Sequence, residues 1–160
     1  MNPTSQLMTL RVLSGAFIGG IAIIAALMFF VAPETVLPQP WVLAVLLGLV
    51  ATTAVVSLVM VSQVPAASED DTVGAMLGKV QPVHILRLAL MEAPAILAVV
   101  LMFLADEPSW VTVAVAAVPT ILLMLLLVFP HQGVLRRYEQ ALDSSGVHTR
   151  FTDKLLGHAA

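Results

Sequence analysis

Glu92 is the one charged residue inside the four long apolar runs of this chain, 12–32, 41–61, 88–105 and 110–129, and Pro94 follows it two positions later. A charged side chain at the centre of a bilayer costs ~2.5–3.5 kcal/mol on insertion scales, so its presence asks for a reason. Proline at 94 leaves the Leu90 carbonyl without its helical donor. A carboxyl group beside a freed carbonyl is suited to taking up and releasing a proton or a small cation. The same group also serves as interhelical glue by donating one hydrogen bond to a neighbouring or partner helix. Arg87 stands five positions earlier, which misses the i, i+4 pairing distance. Its guanidinium is expected to snorkel to the headgroups.

No other constellation in the sequence matches a catalytic or metal-binding pattern. The chain has no cysteine, which removes disulfides, thiolate metal sites and a cysteine nucleophile. Phosphate-cradling glycine loops, nucleophile elbows and metal-ligand spacings are missing from the sequence. His84, His131, His148 and His158 all fall outside the apolar runs and are expected at a solvated interface. His84 and His131 flank neighbouring helix ends, but bis-histidine haem ligation needs imidazoles within the apolar region. Neither a cofactor nor a metal is expected, and the chain is not read as an enzyme.

The apolar runs themselves dictate the architecture. Hydrophobic residues make up 59% of the 160 positions and charged residues 11%, against ~25% charged in a typical soluble domain. Lipid must therefore solvate the outside of the fold. A helix rises ~1.5 Å per residue, so ~20 residues cross a ~30 Å hydrocarbon core. Unbroken apolar runs rather than period-two alternation select helices over a barrel. The predicted fold is an all-α polytopic bundle, a single membrane domain over 1–160, with spans at 12–32, 41–61, 85–105 and 110–129. A central loop at 62–84 and a tail at 130–160 complete it. The first run exceeds the ~7–15-residue apolar region of a signal peptide, so it is read as a retained span.

All seven basic residues, Arg11, Lys79, Arg87, Arg136, Arg137, Arg150 and Lys154, lie on one side of the apolar runs, Arg87 at the inner end of the third span just before its run begins at Leu88. The positive-inside rule then puts both termini in the cytoplasm, in a multi-pass protein of the inner (cytoplasmic) membrane. Trp41 and Trp110 each open an inward-running helix, where an indole sits well among headgroups. A faint internal duplication accompanies this topology. Leu27-Met28-Phe29 recurs as Leu101-Met102-Phe103, and the same shift lays Gly15 and Gly19 on Ala89 and Ala93. Two similar helical hairpins follow from it. Gly15, Gly19, Ala22 and Ala26 form a stripe of small residues expected to pack against Ala89 and Ala93, or else against a helix of the same hairpin or a second protomer. Thr52, Thr53 and Ser57 are expected to bond their own backbone, and Pro119 to kink the fourth helix.

Between the hairpins, Pro65 to Pro82 reads as an exposed loop, with at most one helical turn inside it. In the tail, Leu135, Tyr138 and Leu142 share one helical face, which suggests that helix four continues past the membrane. Ser144-Ser145-Gly146 ends it. The stretch around Phe151, Leu155 and Leu156, flanked by Arg150 and Lys154, is expected either to rest on an anionic leaflet or to stay mobile.

The stretch from Ala89 through Glu92 and Pro94 to Val100 resembles the carboxylate-bearing helix of the proton-carrying c subunits of rotary ATP synthases. The resemblance implies that Glu92 is a proton-binding residue on an outward-running helix. It covers about a tenth of the chain, and helix two carries only Gly48 where that family's preceding helix is glycine-rich. The functional expectation is a non-catalytic integral membrane protein, an accessory, assembly or oligomeric subunit of a membrane complex. The alternative is a small proton- or ion-linked carrier or channel using Glu92. The expected partners are the lipid bilayer and a second copy or another membrane protein, and not nucleic acid.

Overall fold

The computed structural model describes residues 3–157, and it contains no strand among them. Six α-helices follow one another: α1 (Pro3–Val31), α2 (Pro40–Val59), α3 (Val73–Leu104), α4 (Trp110–Leu127), α5 (Gln132–Leu142) and α6 (Phe151–Leu156). The first four are long and apolar enough to cross a membrane. At 32 residues α3 reaches about 48 Å, well beyond a hydrocarbon core, so its first turns project past it.

The four long helices form a diamond rather than a square. α3 and α4 pack side by side at the centre, and α1 and α2 each lean on both of them from opposite edges. The hairpins are therefore not alike: α3 and α4 pack intimately, whereas α1 and α2 barely meet. At one end, the links between α1 and α2 and between α3 and α4 are stitched together. The Trp110 amide donates to the Ala32 carbonyl at 3.0 Å, and the Ser109 hydroxyl to the Glu34 carbonyl at 2.7 Å. Ser109 also caps α4 by accepting from the Val111 amide at 3.3 Å.

The opposite end is more elaborate than a loop and a trailing tail. The predicted loop over 62–84 is mostly helix, because α3 begins at Val73. Thr72 caps it by accepting from the Ala75 amide at 3.3 Å. Pro82 costs that helix only one amide, which its surroundings tolerate. Helix four does not run on: the chain turns at Pro130, and His131 starts a separate α5 by accepting from the Gly133 amide at 3.1 Å. Leu135, Tyr138 and Leu142 do share the buried face of α5, as their spacing predicts.

α6 does not hang free, and its apolar residues turn into the protein. Its Phe151 and Leu155 are fully buried in a core with Leu10, Met76, Val80 and Leu135. In an aqueous-facing layer, burying a side chain of that size contributes ~1.5–3 kcal/mol, enough to hold a short helix down. A second core lies within the spans, built from Ile21, Leu46, Leu88, Met91, Met102 and Met124 among others. The molecule thus has a membrane-length core and, at the basic end, a capping layer made by α5, α6 and the ends of α1 and α3.

The small-residue stripe is not the seam between α1 and α3. Gly15, Ala22, Ala26 and Ala89 are exposed, and Gly19 and Ala93 are half-buried. A β-carbon added at Gly15 or Gly19 would meet nothing within 4 Å. α1 instead turns Leu7, Leu10, Ser14 and Ile21 inward, one residue around from the stripe.

Candidate functional site

The two cores meet at a layer of buried polar side chains. Val80 closes the capping core and Leu88 opens the membrane-length core. Between them, on the same face of α3, stand His84 and Arg87, three residues and so about one turn apart. Both are fully buried. Arg87 does not snorkel, because α5 folds back over the position where headgroups would otherwise meet it.

Arg87 spreads its guanidinium fork over three elements. Its Nε donates to the Ser57 hydroxyl at 3.0 Å, one Nη to the Tyr138 hydroxyl at 2.7 Å, and the other to the Leu127 carbonyl at 2.7 Å. The guanidinium carbon also lies 5.5 Å from the centroid of the Tyr138 ring, within cation–π range. No carboxylate pairs with it among the described residues. The compensating negative potential comes in part from a helix end. Leu127 is the last residue of α4, and a helix C-terminus carries the negative end of the backbone dipole, so the end of α4 meets this cation. Ser57 adds its hydroxyl from within α2, whose helical path runs on as a 3-10 turn through Gln63.

The donor-only character of arginine then orders the rest of the network. Tyr138 accepts from Arg87 and must direct its own proton elsewhere. Its hydroxyl lies 3.1 Å from His84 Nδ1, and His84 Nε2 lies 2.9 Å from the Ser14 hydroxyl. Ser14 in turn donates to the Leu10 carbonyl at 2.8 Å. A single direction satisfies every atom: Arg87 to Tyr138 to His84 Nδ1, then His84 Nε2 to Ser14 to the α1 backbone. His84 is thus read as the Nε2–H tautomer. Burial pushes the Tyr138 phenol up, while the charge of Arg87 and its hydrogen bond work against that shift. Its donor role toward His84 Nδ1 requires the protonated phenol. The arrangement acts as a clamp that fastens α1, α2, α4 and α5 to α3.

Glu92, two turns beyond His84, is not part of this network. It is half-buried on the flank of the face formed by Leu88, Met91 and Ala95, and it makes no hydrogen bond or ion pair with any described residue. Pro94 is buried beside it, and α3 continues through that position. His131 does not meet His84. Its Nε2 donates to the Leu126 carbonyl at 3.0 Å while Nδ1 caps α5. His148 is exposed, and His158 lies outside the described residues. Thr52 and Thr53 bond the Gly48 and Val50 carbonyls as expected of them, whereas Ser57 is drawn into the clamp.

Sequence reasoning missed Ser14 and Tyr138 as polar partners. Tyr138 shares an apolar helical face with Leu135 and Leu142, and His84 and Arg87 share one face of α3; together those two facts carry the signal. Ser14 carried none, since a serine in an apolar helix commonly bonds only its own backbone. Compared with protein families, curated proteins and solved structures, the chain matches none of them.

Proposed function

We propose that this chain is a non-catalytic subunit of the cytoplasmic membrane, with both termini inside, that works by assembling with another membrane protein or a second copy of itself. The observation carrying this reading is the exposure of α1. Only 11% of its membrane-length window is buried within the chain, against 33–39% for the other three spans. Its exposed surface carries Gly15, Gly19, Ala22 and Ala26, where another backbone can approach closely. Lipid offers no hydrophobic gain for helix association, so such close approach is how membrane helices find partners. The clamp supports the same reading from the other side, since it fixes α1 to α3 at the basic end and leaves the stripe free.

The direct test is purification in mild detergent followed by mass spectrometry of what remains bound. Gly15→Leu with Gly19→Leu should abolish the stoichiometric partner or reduce oligomer size, while leaving the fold intact. Unchanged assembly would count against this function.

A second reading rests on Glu92. A half-buried carboxyl group with no partner in its own chain favours either a hydrogen bond to the partner subunit or proton exchange, as the likeness to rotary c subunits implies. Reaction of Glu92 with a hydrophobic carbodiimide, suppressed at high pH, supports proton binding. Partner recovery that survives Glu92→Gln unchanged, together with no such reaction, removes Glu92 from both roles.

A further inference from the structure

The end of the bundle away from the arginines contains a cleft of about 420 Å³ between the α1–α2 link and the α3–α4 link. Val36, Leu37 and Leu104 give it apolar walls, and Trp41 adds an indole. The Trp41 Nε1 donates to the Gln39 side-chain carbonyl at 2.6 Å, which fixes the ring as one wall. Asp106 and Glu107 stand at the rim, and neither pairs with any described residue. All seven basic residues lie towards the other end, so nothing local neutralises these carboxylates. Inside the cleft, Thr112 is 4% exposed, and its hydroxyl makes no hydrogen bond to any described residue.

From this geometry we infer that the cleft binds an amphipathic cation: an apolar body held between Leu37, Leu104 and the indole, with an ammonium-type head against Asp106 and Glu107. The class follows from the lining. Apolar walls with a few convergent polar groups mark small-molecule sites. An indole face and unpaired carboxylates both attract a cation. A neutral or anionic body of equal size would leave the carboxylates uncompensated, and the unpaired Thr112 hydroxyl offers an oxygen to the same head. Two sources share this chemistry, a lipid with an ammonium headgroup and a free hydrophobic cation. The site is independent of the assembly function proposed above, because α1 contributes nothing to it.

Two ions of equal size and opposite charge test the inference. The full chain in uncharged maltoside micelles is titrated with tetraphenylphosphonium and, separately, with tetraphenylborate, following tryptophan fluorescence. The phosphonium should bind saturably and at least about tenfold more tightly than the borate, with the signal lost in Trp41→Phe. Asp106→Asn with Glu107→Gln should erase that preference without altering the circular dichroism melt, since both side chains are exposed. Glu34→Gln, at the same end but outside the cleft, should leave it intact. If added phosphatidylethanolamine displaces the phosphonium and phosphatidylglycerol does not, the lipid is the source; if neither displaces it, a free cation is. Equal binding of the two ions, or a preference that survives loss of both carboxylates, overturns the proposal.

Discussion

The Arg87 guanidinium donates to the Tyr138 hydroxyl at 2.7 Å, joining the third long helix to a helix that begins only after the fourth has ended. This contact makes the capping layer part of the fold rather than an appendage. It closes over a buried cation whose compensation comes from the C-terminus of α4 and two hydroxyls. Losing any one of them leaves charge in a place that water cannot easily reach.

Tyr138→Phe keeps the ring and removes only the oxygen. Arg87 then loses one of three acceptors, and His84 Nδ1 loses its donor. A hydrogen bond to a charged group contributes about 1.5–3 kcal/mol, and destabilisation of that size is expected in reversible dodecyl sulfate unfolding. In nitrogen NMR of the parent protein, His84 Nδ1 should show the unprotonated, pyridine-type shift and Nε2 the protonated one. A destabilisation below about 0.5 kcal/mol, within the range of an ordinary surface substitution, would mean that the clamp is not closed.

Arg87→Lys and Arg87→Met separate charge from fork geometry. Lysine keeps the charge but offers a point donor that cannot reach Ser57, Tyr138 and the Leu127 carbonyl together. Methionine gives up the bonds and also the cost of a buried charge, which is often close to an even exchange. The expected order of stability is wild type, then methionine at or above lysine. A lysine variant as stable as wild type would show that the position is wetter than its complete burial implies.

How much of this was legible beforehand depended on the kind of signal. Four helices were written in apolar length alone, and TM-scale stretches are the least ambiguous pattern a sequence carries. The start of α3 was not, because Gly74 and Pro82 both read as breakers, whereas the Thr72 cap and tertiary contacts outweigh them. Arg87 reads as a snorkelling side chain in the sequence because nothing local shows that the chain reverses at Pro130 and covers it. The stripe at Gly15 was legible as a close-packing face but not as an outward one, since small-residue spacing is the same in either case. Phe151 and Leu155 form an amphipathic signal that fits a leaflet and a protein core equally well.

The capping layer has its own pH dependence through Asp71. The Lys79 ammonium, 2.7 Å away, and then the Ser68 amide hold this carboxyl below its ordinary value of 3.8. Because the folded value is the depressed one, the stabilisation is complete above 3.8 and fades as pH falls through the lower folded value. Asp71→Asn should therefore speed amide exchange in the segment between Gln63 and Val73 at pH 7. The difference from wild type should shrink progressively below pH 3.8. A gap that is unchanged at low pH would assign the effect to something other than this ion pair.

The natural absence of cysteine makes the membrane topology directly measurable. Val36→Cys, Glu69→Cys and His148→Cys are each placed at an exposed position, and intact cells are treated with a membrane-impermeant maleimide. Labelling of Val36→Cys alone, with Glu69→Cys and His148→Cys reacting only after permeabilisation, is the predicted result. Labelling of either of the latter two from outside, or recovery of the protein from the soluble fraction, would contradict it.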